Sequence, residues 1–180
     1  MSDHSTATSA ATTATVDPDV AGFNALSEDD CRGRLTSCLN VRRWVEHVAA
    51  GRPYADWAVL VAAAEQAAAT LEPEEVDSAL AGHPRIGEKA TDAKHDAELS
   101  SREQAGVDAS DSAVVDALAA GNRAYERRFD RVFLIRAAGR SSSEILAELQ
   151  RRLDNDDEAE RAETVTQLRE IAILRLKEML

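Results

Sequence analysis

The sequence predicts an all-α protein, a single-domain bundle of about seven to nine helices, and three observations carry that expectation. The apolar content, 44% of the chain, is mostly Ala, Leu and Val, and aromatics make up only 4%. Such side chains suit close helix packing better than a sheet rich in aromatic and β-branched residues. Apolar residues recur at spacings of three and four along most of the chain, which is the period of one helix face. Capping signals precede these runs, an acceptor residue often followed three positions on by Glu. A chain of 180 residues suffices for one domain with its own core.

Residues 1 to about 20 are dominated by Ser, Thr, Ala and Asp. They carry too little apolar surface to offset the entropy of ordering, so a disordered tail is expected there and a helical domain over 21–180. Ser27 before Glu28, Asp29 and Asp30 marks a helix start, an N-cap followed by acids that complement the dipole. Cys31, Leu35 and Cys38 then form its inner stripe. The two cysteines stack on one face about 10 Å apart, too far for a disulfide with each other, and read as small buried apolar residues. Val41, Trp44, Val45 and Val48 form the next stripe, which stops near Gly51. Asp56 can cap a third helix through about Leu71. Pro73 suits the first turn of a fourth, with Val76, Ala79 and Leu80 facing inward and Gly82 at its end.

His83 thus follows a helix C-terminus, and Pro84 bars it from the helical region and holds it extended. Residues 85 to 99 show no period and read as a loop. Ser100 and Glu103 have capping-box spacing and open a short helix. Ser110 and Asp111 start a longer one, with the stripe Val114, Leu118, Asn122, Tyr125 and Phe129. Asn122 needs a partner there, because a buried unpaired amide costs about 1–3 kcal/mol. Val132 to Ala137, VFLIRA, is too short and too continuously apolar for an amphipathic helix and is expected to be an extended, buried connector. Ser141 with Glu144, and Asn155 with Glu158, repeat the capping-box spacing before two last helices. Their stripes are Ile145, Leu146, Leu149 and Leu153, and then Ala162, Val165, Leu168, Ile171 and Leu174 to Arg175.

Acidic residues outnumber basic ones 33 to 21, for a formal charge of -12, which argues against nucleic acid or an anionic membrane as partner. No run of 18 apolar residues and no secretory signal is visible, and Glu178-Met179-Leu180 is not a peroxisomal address, so a cytoplasmic location is expected. There is no Gly-rich phosphate loop, no Gly-x-Ser-x-Gly elbow and no Cys-x-x-Cys. The chemistry of this chain is therefore expected to need neither nucleotide nor thiol. A metal set of His83, His95 and Glu98 has a His-to-His gap that matches no compact helical ligand motif, and no metal is expected.

The candidates for chemistry lie around the break in helical period. A loop His such as His83 can act as general acid or base near neutral pH, or can simply bond a helix-end carbonyl. Ser100 and Glu103 are explained by the capping box alone. With Gln104 they also form three polar groups at a helix N-terminus, where backbone N–H groups favour a partially negative ligand. Arg140, between Gly139 and Ser141, can offer a fork to a carboxylate or urea-like carbonyl, or can be a solvated loop arginine. Arg136, inside the connector, is the same device one step earlier or a snorkelling side chain.

Four blocks, AGHPRIGEKA at 81–90, SSREQAGV at 100–107, NRAYERRF at 122–129 and VFLIRAAGRS at 132–141, stand in an order that resembles the 2-oxo-4-hydroxy-4-carboxy-5-ureidoimidazoline (OHCU) decarboxylases of urate breakdown. The resemblance spans about 21–180. It implies an all-helical, homodimeric enzyme without cofactor that converts a small ureide, OHCU, to S-allantoin. By position, His83 would be the catalytic acid/base with Glu103 orienting it or a ring N–H. Pro84 would shape the pocket, and Ser100 and Gln104 would hold the ureido-imidazoline with Glu103. Ile135 would supply backbone hydrogen bonds and Arg140 would contact a substrate oxygen, with Arg136 as its competitor. One departure concerns Phe129-Asp130, where the family usually has Phe-Gly: Asp reaches left-handed angles less readily than Gly. The alternative function is a catalytically inactive helical module of the same fold that binds a ureide or a partner protein.

Overall fold

Several helices start where a side chain can accept from the first free N–H groups. The structure, a computed structural model of the chain, describes residues 18–87 and 112–180. Among them are eight helices and no strand: α1 (Pro18–Asn24), α2 (Glu28–Cys38), α3 (Arg42–Ala50), α4 (Trp57–Ala68), α5 (Pro73–Leu80), α6 (Ser112–Phe129), α7 (Ser142–Arg152) and α8 (Asp157–Met179). Ser27 accepts from the Asp30 N–H at 3.1 Å and Asp56 from that of Val59 at 2.9 Å. Ser141 and Glu144 close a reciprocal capping box, as the spacing predicts.

Two details differ from the sequence reading. Helix α1 begins at Pro18, with Val20 and Phe23 buried; two apolar residues three apart are too brief a signal against a Ser- and Thr-rich background. The last helix is capped by Asp156, which accepts from the Ala159 N–H at 2.8 Å, and Asn155 is not its cap. The Asn155 amide instead donates to Glu160 and Glu163, at 2.9 Å each. Either residue type can cap, and the buried Glu160 claims the amide. The inner face of α8 accordingly begins at Glu160 and Thr164, whereas Ala162 is exposed.

The buried apolar residues fall into two clusters. The first gathers α1 to α5 around the C-terminal half of α8, through Leu168, Ile171, Ala172 and Leu176. The second joins Leu118, Tyr125 and Phe129 of α6 to Ile145 and Leu149 of α7, together with Ile86. Residues 132–137 are extended and largely buried, as expected. Their side chains alternate as in any extended chain: Leu134 enters the first cluster, and Phe133, Ile135 and Ala137 enter the second.

A buried charge network fixes that connector. Arg152, 1% exposed, donates through Nε to Glu160 at 2.9 Å and through Nη1 to the Leu134 carbonyl at 2.8 Å. Its guanidinium lies 4.8 Å from the Phe133 ring centroid, and Tyr125 donates its hydroxyl hydrogen to Glu160. Burial first, and then that hydrogen bond, raise the Tyr125 pKa. On the other flank, Gln167 accepts from the Arg136 N–H at 2.8 Å.

Asp130, directly after α6, has φ 53°. An L-residue there is strained by contact of Cβ with the backbone, less so for Asp than for most. Asp130→Gly should therefore stabilise the protein by about 0.5–1 kcal/mol, read as a higher urea midpoint. Glu160→Ala should cost about 3–5 kcal/mol in the same experiment, because it leaves the buried Arg152 charge with only the more distant Glu163, at 3.8 Å, as counter-charge; a loss under about 1 kcal/mol would contradict the network's role.

Candidate active site

His83 stands at the end of a turn that leaves α5. Its backbone N–H donates to the Leu80 carbonyl at 2.9 Å, so the helix-end carbonyl is capped by main chain and the imidazole is left for other work. Among the described residues no hydrogen bond to that imidazole is made. Pro84 follows it outside any helix, and Ile86 enters the second cluster. Leu80 belongs to the first cluster. His83 and Pro84 therefore bridge the seam between the two cores, as the 132–137 connector does.

The His83 imidazole is half-buried and its pKa is lowered from 6.5 to about 3. Burial is the larger cause, and the positive charge of Arg175 is the second. Arg175 lies on the inner face of α8, 4% exposed, and donates to the Ser37 carbonyl at 3.0 Å. Both effects penalise the imidazolium. His83 is thus neutral throughout the physiological range, beside a fixed cation. Arg175 was not singled out by sequence; the available signal was an arginine inside an apolar stripe, between Ile171 and Leu176, since a buried charge requires a partner.

The connector supplies backbone. The Leu134 carbonyl is occupied by Arg152 and the Arg136 N–H by Gln167. Ile135, between them, has neither its N–H nor its carbonyl engaged by another described residue. The two arginines of this segment differ in what they already do. Arg136 pairs with Glu170 at 3.1 Å on a partly exposed surface. Arg140 follows Gly139, whose φ of +81° forms the turn before α7, and its Nε is buried without a hydrogen-bond partner. No described hydrogen bond joins Arg140 to His83.

Asn122, the polar member of the α6 stripe, is 3% exposed and donates through Nδ2 to the Ile86 carbonyl at 3.0 Å, while its Oδ1 has no partner. Arg85 makes a two-point contact with Glu126 of the same helix. Ser100, Glu103 and Gln104, and also His95 and Glu98, lie outside the described residues. Among those described, no group of three His, Cys, Asp or Glu side chains is gathered as for a metal ion, and no helix is long and apolar enough to cross a membrane.

The sequence model of the OHCU decarboxylases matches residues 24–177. The chain belongs to the OHCU decarboxylase family. It is a carboxy-lyase of urate breakdown, and its reaction is the decarboxylation of OHCU. Its helical fold is similar to that of an OHCU decarboxylase crystallised in the presence of (S)-allantoin, at 19% identity and TM-score 0.67, over 86% of this chain and 98% of that one. It is also similar to an (S)-allantoin synthase, at 17% identity and TM-score 0.62, over 87% of this chain and 52% of that one. No curated protein matches the sequence.

Because His83 has a folded pKa below its unfolded 6.5, the unfolded chain takes up a proton that the folded chain refuses between those values. The stability it confers is complete above pH 6.5 and is lost as pH falls toward about 3. The drop in urea midpoint between pH 7 and about pH 4 should therefore be smaller in His83→Gln than in the parent. Equal drops would place His83 in ordinary solvent.

Proposed function

We propose that this OHCU decarboxylase forms S-allantoin without a cofactor, with His83 as the acid/base and Arg175 as the cation beside it. The observation that carries the proposal is a neutral, half-buried imidazole whose proton affinity is suppressed first by burial and then by a neighbouring guanidinium. Loss of CO2 leaves an electron pair on a ring carbon. The conjugated imidazoline nitrogen and carbonyl of the substrate delocalise it, so no external electron sink is required. The ring hydroxyl must then lose its proton as it becomes a carbonyl, and the carbon bearing the ureido group must gain one from a single face.

Neutral His83 is the group suited to take the hydroxyl proton. A substrate carboxylate lying against Arg175 would offset the second cause of the lowered pKa and supply a counter-charge for the imidazolium. Proton affinity would thus rise when substrate is present and stay low otherwise. Pro84 holds the imidazole extended and shapes the pocket wall. Ile135 offers an unengaged N–H and carbonyl, matching the donor and acceptor pattern of a ureide. Arg140 is favoured over Arg136 for a substrate oxygen, since its Nε is unspent whereas Arg136 already pairs with Glu170.

On the family resemblance, Ser100 and Gln104 would hold the ureido-imidazoline and Glu103 would orient His83 or a ring N–H. The same resemblance supports a homodimer.

The test is an ultraviolet and circular-dichroism time course on urate treated with urate oxidase and hydroxyisourate hydrolase. The chain should speed OHCU decay and give the optical signal of S-allantoin, and His83→Ala should lower the rate by about 10²–10⁴-fold. Decay at the uncatalysed rate with the parent chain would favour the inactive binding module instead. Unaltered rate and product handedness in His83→Ala would remove His83 from the mechanism.

A further inference from the structure

The segment that carries His83 is fixed at both ends, and by different cores. Its N-terminal end is the turn on α5, closed by the His83 N–H on the Leu80 carbonyl at 2.9 Å. Its C-terminal end is Arg85 to Gly87, and α6 holds that end at two places. The Asn122 amide donates to the Ile86 carbonyl at 3.0 Å. Glu126, one turn further along α6, accepts from both Nε and Nη2 of Arg85, the second at 3.0 Å. Residues four apart share one helix face, so the two contacts act as a paired clamp on consecutive residues.

We propose that Asn122 and Glu126 are positioning residues for His83, setting from α6 where the Pro84-locked imidazole points across the seam. Pro84 restricts one joint only. The direction of His83 is determined by where the chain on either side is attached, and Pro84 is separated from the clamp by no free residue. The Arg85 guanidinium holds the Glu126 carboxyl below the usual carboxylate range, so the pair is charged at neutral pH. Arg85 is 45% and Glu126 26% exposed. An ion pair at such a surface adds little to stability, so its two-point geometry, which restricts direction, is the more consequential property. The clamp also ties the second core to a residue held by the first. Movement of α6 against α5 would therefore be felt at His83.

This inference rests on the acid/base reading of His83, and the experiment separates the two. Glu126→Ala, Glu126→Gln, Asn122→Ala and His83→Ala are compared with the parent chain for kcat, KM, enantiomeric excess of the allantoin and folded fraction. Glu126→Ala and Asn122→Ala should lower kcat per folded molecule by about 10- to 100-fold, the cost of a catalytic group displaced by up to about an ångström. KM should change by less than about three-fold, and the enantiomeric excess should fall. Glu126→Gln keeps an acceptor for Arg85 and should lose less. If kcat per folded molecule and enantiomeric excess stay at parent values in both Ala variants while His83→Ala is inactive, the clamp is overturned and the His83 role stands. A loss confined to KM or to the folded fraction overturns it equally. If His83→Ala itself keeps parental rate and handedness, the acid/base reading fails and the clamp has nothing to position.

Discussion

A guanidinium sealed from water sets the terms for much of this molecule. Arg152 and Glu160 are both essentially unexposed, and a buried ion pair is tolerable only when its remaining donors and acceptors are filled. Filling them takes Tyr125 from α6, Thr164 and Asn155 from around the start of α8, and the Leu134 carbonyl from the connector. Three helices and one extended segment must therefore meet at a single point. With Leu134 bonded on one side and Arg136 bonded to Gln167 on the other, the chain between them has little choice of path. It runs extended, sends alternate side chains to alternate cores, and leaves the backbone of Ile135 unclaimed.

The site follows from the same division into two cores. Among the described residues the His83 turn and the connector cross the seam, and each presents polar groups that neither core has used. Burial at such a place lowers the imidazole's affinity for a proton, and Arg175 lowers it further. A histidine in that condition is a weak base for water and a better one for an anion that approaches the arginine. Perturbed titration beside a fixed charge is a frequent property of catalytic groups. Here the causes can be named, burial first and Arg175 second, and in the proposed mechanism a substrate carboxylate would offset the second.

Much of the fold was legible because its signals are local. Ser27, Asp56 and the Ser141–Glu144 pair each act on backbone three residues away, and the sequence spacing shows them directly. Asp130 is legible in the same way: the family resemblance leads one to expect Gly there, and its φ is positive. The turn after Leu80 that places His83 outside the helix is readable in the same way, from Gly82 and Pro84. What failed depended on distant residues. Asn155 and Asp156 are equally good caps in isolation, and only the buried carboxylate of Glu160 decides between them. The burial of Arg152 and Arg175 depends on partners elsewhere in the chain, Glu160 and the Leu134 carbonyl for the first and the Ser37 carbonyl for the second. What distinguishes Arg136 from Arg140 was likewise beyond spacing: Arg136 pairs with Glu170, a residue of another helix. Ser100, Glu103 and Gln104 belong to the site by resemblance, and their placement lies outside the described residues.

The central claim is that the reaction takes place at the seam, between the His83 turn and the Ile135 backbone. The most direct measurement is a crystal structure of the chain with S-allantoin bound. The account predicts the ligand between those two segments, with its ring within hydrogen-bond reach of the His83 imidazole and its ureide on the backbone of Ile135. A ligand that sits elsewhere, or that touches Ile135 while His83 points away from it, would contradict the account.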